Sequence, residues 1–156
     1  NVIQILKEIQ SRFVDMSNVE LTFETNGIQK LAPELAQLLV DYRINVTMSI
    51  SPKLFTVAGE TNEKAIKPDI IKELIKYGNR VSYLKFVMGK EKRQEDELLS
   101  ILDVMPKNIM VYLMPVGKDA ADIAIVRRHV AELAAKLYVR FSDRLHALIW
   151  DNEMGR

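Results

Sequence analysis

Residues 44–53 read Ile44-Asn45-Val46-Thr47-Met48-Ser49-Ile50-Ser51-Pro52-Lys53, an apolar–polar alternation that stops at a proline. A period of two puts Ile44, Val46, Met48 and Ile50 on one face of a strand and Asn45, Thr47, Ser49 and Ser51 on the other. Pro52 ends the strand because proline has no N–H to give a sheet ladder. What surrounds this strand decides the fold.

Upstream, Val2, Ile5, Leu6, Ile9 and Phe13 fall at helical spacing and predict an amphipathic helix over 1–13. Ser17-Asn18 breaks it. Val19, Leu21 and Phe23 then alternate with Glu20, Thr22 and Glu24 as a strand, which Asn26-Gly27 closes with residues that tolerate positive φ. Pro33 suits a first helical turn, and Leu35, Leu38 and Leu39 carry a helix to about Asp41.

Downstream, residues 54–66 lack a clear period and are expected to form a long loop. Pro68 opens a helix with Ile70, Ile71, Leu74 and Ile75 on one face, ending near Gly78-Asn79. Val81 to Met88 is a third strand, interrupted by Lys85 and ended by Gly89. Leu98, Leu99, Leu102 and Met105 mark a helix that Pro106 terminates. Ile109 to Met114 is a nearly continuous apolar run, a fourth strand closed by Pro115 and Gly117. A long helix from about Asp119 to Tyr138 follows, then an expected last strand from Leu145 to Trp150 and a polar tail, Asp151 to Arg156.

Helices and strands therefore alternate through a single domain, 1–156. Such alternation implies an α/β fold with parallel strands and crossover helices, as a doubly wound sheet or part of a barrel. Five strands are too few for a closed eight-stranded barrel. The expected architecture is part of an incomplete (β/α) barrel.

Composition bounds the function. The formal net charge of +1 gives no electrostatic reason to expect nucleic acid or an anionic membrane. No apolar run approaches the ~18 residues of a membrane span. With no cysteine, these residues offer no disulfide, thiolate metal ligand or cysteine nucleophile. That fits a cytoplasmic protein. The sequence begins at Asn1, already inside a helical pattern, which reads as a piece of something longer.

Parallel strands covered on both faces are normally apolar throughout. Here one parity carries Glu20, Thr22 and Glu24, then Asn45, Thr47, Ser49 and Ser51, then Lys85, and finally Arg144 and His146. Either this parity lines a concave lumen that holds water or ligand, or one face of an open sheet is simply solvated; periodicity alone does not choose. Ligands of α/β folds bind at the carboxyl ends of strands. Those ends read Glu24-Thr25-Asn26-Gly27, Ser51-Pro52-Lys53, Met88-Gly89-Lys90, Met114-Pro115-Val116-Gly117 and Trp150-Asp151-Asn152. They gather a carboxylate, hydroxyls, amides, ammonium groups and glycines on one rim. His146, with Arg144 two residues before it, is expected to line the lumen, whereas His129 reads as an edge-of-core histidine of the long helix. Lys90, Lys92 and Arg93 are answered by Glu95, Asp96 and Glu97, a solvated helix start. No phosphate-binding glycine loop, dinucleotide fingerprint or H-E-x-x-H zinc motif is present.

Taken in order, these motifs resemble the radical S-adenosylmethionine enzymes, and within them the 7-carboxy-7-deazaguanine synthase family. The matching pieces are E-T-N-G (Glu24 to Gly27), S-P-K (Ser51 to Lys53), L-K-F-V (Leu84 to Val87), L-M-P-x-G (Leu113 to Gly117) and R-F-S-x-R-L-H (Arg140 to His146). E-T-N-G is shared widely among radical enzymes, while the remaining set is more specific. The resemblance runs from about residue 19 to the end. It departs from the family in lacking the C-x-x-x-C-x-x-C that holds a [4Fe–4S] cluster and the glycine-rich G-G-E-P-type strand end. The residues are therefore read as the carboxy-terminal half to two-thirds of such a protein.

The resemblance implies reductive cleavage of S-adenosylmethionine to a 5′-deoxyadenosyl radical. It further implies hydrogen abstraction from 6-carboxy-5,6,7,8-tetrahydropterin and Mg²⁺-assisted ring contraction with loss of ammonia, a lyase step toward 7-deazapurines such as queuosine. It also implies a homodimer and an electron donor such as flavodoxin or ferredoxin. By the same resemblance, Glu24, Ser51, Pro52, Lys53, Met114, Pro115, Val116 and Gly117 match cofactor-binding positions. Arg144 and His146 match the closing strand beside the pterin, where their donors suit its carboxylate. It assigns no catalytic residue, and the Mg²⁺ ligand belongs to the absent cluster loop. Two other readings stand beside it. A glycyl-radical activating enzyme shares the strand-end carboxylate and turn, although S-P-K and R-L-H argue against it. A non-catalytic α/β scaffold or dimerisation module is favoured by the lack of cysteine in these residues taken alone.

Overall fold

The alternation at 44–51 forms a strand over Asn45–Ile50, with Val46, Met48 and Ile50 fully buried. Burying side chains of this size contributes about 1.5–3 kcal/mol each. Strand propensities differ by only about 1 kcal/mol over their whole range. Burial therefore decides which parity turns inward, and the same logic runs through the other strands.

The computed structural model describes residues 2–13, 15–79, 81–151 and 153. In chain order the elements are α1 (Val2–Arg12), β1 (Glu20–Thr25), α2 (Pro33–Asp41), β2 (Asn45–Ile50), α3 (Phe55–Ala58), α4 (Asn62–Ala65) and α5 (Pro68–Tyr77). They continue with β3 (Val81–Met88), α6 (Lys92–Val104), β4 (Met110–Pro115), α7 (Ala120–Lys136), β5 (Arg140–Phe141) and α8 (Leu145–Trp150). Pro33 and Pro68 open α2 and α5, where a missing N–H costs nothing. Asp119 caps α7, its carboxylate accepting the Asp122 N–H at 2.9 Å. No described helix is long and apolar enough to cross a membrane.

The five strands are all parallel and lie in the order β1-β2-β3-β4-β5. A doubly wound sheet reverses its order at a switch point. This sheet has none, so crossovers of one hand bring the helices to one face. The fold is α/β, a partial (β/α) barrel whose described sheet ends at β1 on one side and β5 on the other. Leu84, Phe86 and Met88 of β3 and Leu113 of β4 are buried in one core with Ile71, Leu74, Leu98, Val130 and Leu133 of the helices. The opposite parity is open: Glu20, Thr22 and Glu24 are exposed, and Thr47, Lys85, Tyr112 and Met114 are half-buried. On that face Tyr83 meets Tyr112 edge-on at 5.2 Å between ring centroids, and Arg140 lies over Tyr112 while hydrogen-bonding its hydroxyl at 3.0 Å.

Several expectations are corrected. Residues 54–66 are not one loop but contain α3 and α4, each a single turn and too short to show a period; buried Leu54 and Ala65 fasten them. Leu145–Trp150 is a helix, and the fifth strand is the two-residue segment Arg140–Phe141 paired to Tyr112 and Leu113. Only Ala147 of that helix is fully buried, while Leu145, Ile149 and Trp150 remain exposed. A strand packed on helices would have buried every second residue. His129 is exposed on α7 rather than at the edge of the core. Asn152, in the fifth strand-end motif, lies outside the described residues, as do Met154 to Arg156 of the tail.

Candidate functional site

The first strand end is built by its own side chains. Thr25 Oγ1 accepts the Gly27 N–H at 3.1 Å, and Asn26 Oδ1 accepts the Ile28 N–H at 3.3 Å. Gly27 is required twice over. Its φ is +76°, and a Cβ there would lie 2.8 Å from Ile71 Cγ1 and 2.9 Å from Ile50 Cγ2. The Ser51 N–H donates to the Thr25 carbonyl at 2.7 Å, continuing the β1–β2 ladder into the turn. The Ser51 hydroxyl donates to the Lys85 carbonyl at 2.9 Å and ties the end of β2 to β3. Both Ser51 donors are thereby engaged, so this residue positions the rim and offers a ligand only acceptor lone pairs.

Past Pro52, α3 folds back onto the rim. Glu97 of α6 holds it there: its carboxylate accepts the Phe55 N–H at 2.7 Å, the Thr56 N–H at 3.0 Å and the Thr56 hydroxyl. At the fourth strand end, Gly117 has φ +154°, and a Cβ would lie 2.8 Å from the Ile123 nitrogen. The Gly117 carbonyl accepts a hydrogen bond from the Arg144 guanidinium. Asp143 steadies the same corner, with Oδ1 accepting the Arg144 N–H at 2.9 Å and Oδ2 standing 3.0 Å from Arg127 Nε.

These ends enclose an open cleft of about 910 Å³ at the open face of the sheet. Of the residues singled out in the sequence, Glu24, Ser51, Pro52, Lys53, Met114, Arg144 and His146 line it. Pro115, Val116 and Gly117 do not. Pro115 is buried on the helix-facing parity, and Val116 and Gly117 line an adjoining hollow of about 530 Å³ that shares Arg144 and His146. Arg144 and His146 reach the rim from the start of α8, not from a strand. The cleft also includes Thr25, Asn26, Ser49 and Lys85, with Leu54, Val57 and Ala58 as an apolar wall. Ser49 and Lys85 were visible in the sequence as polar residues on the open parity; the wall was not, because nothing local marks α3.

Chemically, the cleft sets three cationic groups, Lys53, Lys85 and Arg144, against the single carboxylate of Glu24. That balance favours a ligand carrying anionic oxygen. Lys85 Nζ stands 3.9 Å from Glu24 Oε1. The Ser49 hydroxyl is buried and has no hydrogen-bond partner among the described residues. No group of three His, Asp or Glu among the described residues is placed to hold a metal ion. Compared with known proteins, the chain matches no protein-family model and no curated sequence.

Proposed function

We propose that this chain is the cofactor- and substrate-lining part of a radical S-adenosylmethionine lyase. In particular, we read it as part of a 7-carboxy-7-deazaguanine synthase acting on 6-carboxy-5,6,7,8-tetrahydropterin in queuosine biosynthesis. One observation carries the reading. Glu24, Ser51, Pro52, Lys53 and Met114 from three strand ends, with Arg144 and His146 from the start of α8, line one polar cleft at the carboxyl ends of parallel strands.

The residues fit the organic cofactor. The Lys53 ammonium suits its carboxylate, Glu24 suits its ribose hydroxyls or amino group, and the adjoining hollow lined by Val116 and Gly117 suits the adenine edge. When bound, S-adenosylmethionine supplies the radical chemistry that starts hydrogen abstraction. Ser51 holds the end of β2 against β3, the Glu97-held α3 screens one side of the cleft from water, and Arg144 and His146 present donors to the substrate. The residues do not fit the [4Fe–4S] cluster. With no cysteine in the sequence, the cluster takes no ligand here, and Mg²⁺ is assigned none. The same reading carries a cytoplasmic setting, a homodimer, and an electron donor such as flavodoxin or ferredoxin.

Lys53 tests the reading. In the intact, cluster-bearing protein, Lys53→Ala weakens S-adenosylmethionine binding about tenfold by calorimetry, the loss expected for one charge-assisted hydrogen bond. An unchanged affinity removes Lys53 from the site.

A further inference from the structure

Lys85 rises from β3, in the interior of the sheet, and its side chain is only 24% exposed. An ammonium carries three donors and no acceptor. Among the described residues its only ionic neighbour is Glu24, and 3.9 Å is beyond hydrogen-bond reach. Glu24 is itself 76% exposed, and water screens pairs of that kind to little net attraction. The pair does not satisfy Lys85. To reach Glu24 on β1, the lysine side chain crosses β2, the strand that carries Ser49 in register with Glu24.

Ser49 provides an independent second observation. It is 1% exposed, lines the cleft, and leaves its hydroxyl without a partner among the described residues. Leaving such a group unpaired is costly, a penalty that an acceptor on a ligand removes. The donors on the rim are placed differently. Lys53 and His146 are exposed, and the Arg144 guanidinium already donates to the Gly117 carbonyl.

We infer that Lys85 and Ser49 together form the anion-accepting point on the cleft floor, where the substrate's carboxylate binds. Glu24 then swings toward solvent or toward a donor group of the ligand. The inference rests on the function proposed above for the identity of that substrate. It moves the carboxylate contact from Arg144 and His146, where the family resemblance puts it, to the middle of the sheet.

The test compares two fluorescent probes, 6-carboxypterin and unsubstituted pterin, titrated into the chain. The wild type prefers the carboxylated probe at least tenfold, and the preference shrinks as salt is added. Lys85→Met reduces it to twofold or less, and Lys85→Arg restores most of it. Should Lys85→Met not fold, as judged by circular dichroism, Ser49→Ala carries the same test with at least a threefold loss of preference. A preference undiminished in these variants overturns the Lys85–Ser49 site while leaving the proposed function standing. A wild type that binds neither probe overturns both.

Discussion

The Glu97 carboxylate accepts the Phe55 amide at 2.7 Å and gathers the Thr56 amide and hydroxyl beside it, so α6 reaches across to fix the start of α3. One carboxylate thus does for a four-residue helix what its own N-cap, Leu54, cannot. Glu97→Ala removes three acceptor contacts from a part-buried site. A loss of about 1–2 kcal/mol in local stability is expected, the range for lost capping bonds. Hydrogen exchange reads it as faster exchange at residues 55–59. Exchange unchanged there would show that buried Leu54 alone holds the wall.

The turn after β1 makes a second prediction. Gly27→Ala meets Ile71 and Ile50 inside 3 Å and forces an L-residue to φ +76°. A destabilisation of about 1–3 kcal/mol follows from the strained backbone, and the crowding adds to it. A lowered urea midpoint with an unchanged slope checks this. A midpoint equal to the wild type's would mean that the turn relaxes freely.

Acid sensitivity is expected at Glu95. Lys136 donates to it at 2.7 Å and, with Lys92 at 3.5 Å, holds its carboxyl below the ordinary carboxylate range against the opposing effect of desolvation. A carboxyl depressed in the folded state adds stability above its unfolded pKa of about 4.3. That contribution disappears as pH falls through the lower folded value. Urea midpoints measured from pH 7 to pH 3 decline for the wild type, and Glu95→Gln declines less over the part of that window below about 4.3. Parallel curves for the two proteins would contradict the assignment.

Most of the sheet was legible because its strands obey period two. Val46, Met48 and Ile50 face the core, with Asn45 and Thr47 opposite, as alternation requires. The closing strand was misplaced for a physical reason. Leu145 to Trp150 satisfies both periods, since Leu145, Ala147 and Ile149 alternate while Leu145 and Ile149 also stand one helical turn apart. The true strand, Arg140–Phe141, is too short to show any period. In the site, residues at strand ends could be named in advance because the fold brings those ends together. Glu97 could not, because its role is a tertiary contact 41–42 residues from its partners. Lys85 stood out as a charge interrupting an apolar strand, but only its distance from Glu24 and its shielding show that it is poorly satisfied.

Residue-resolved binding of S-adenosylmethionine tests the central claim most directly. Without the cluster, binding is expected to be weak, on the order of a 1 mM dissociation constant, or about −4 kcal/mol. Amide chemical-shift titration at millimolar cofactor suits that range. The account predicts shifts concentrated at residues 24–27, 51–53 and 114–117, with none at 105–109 on the opposite end of the sheet. No shifts at saturating cofactor, or shifts confined to other surfaces, would contradict it.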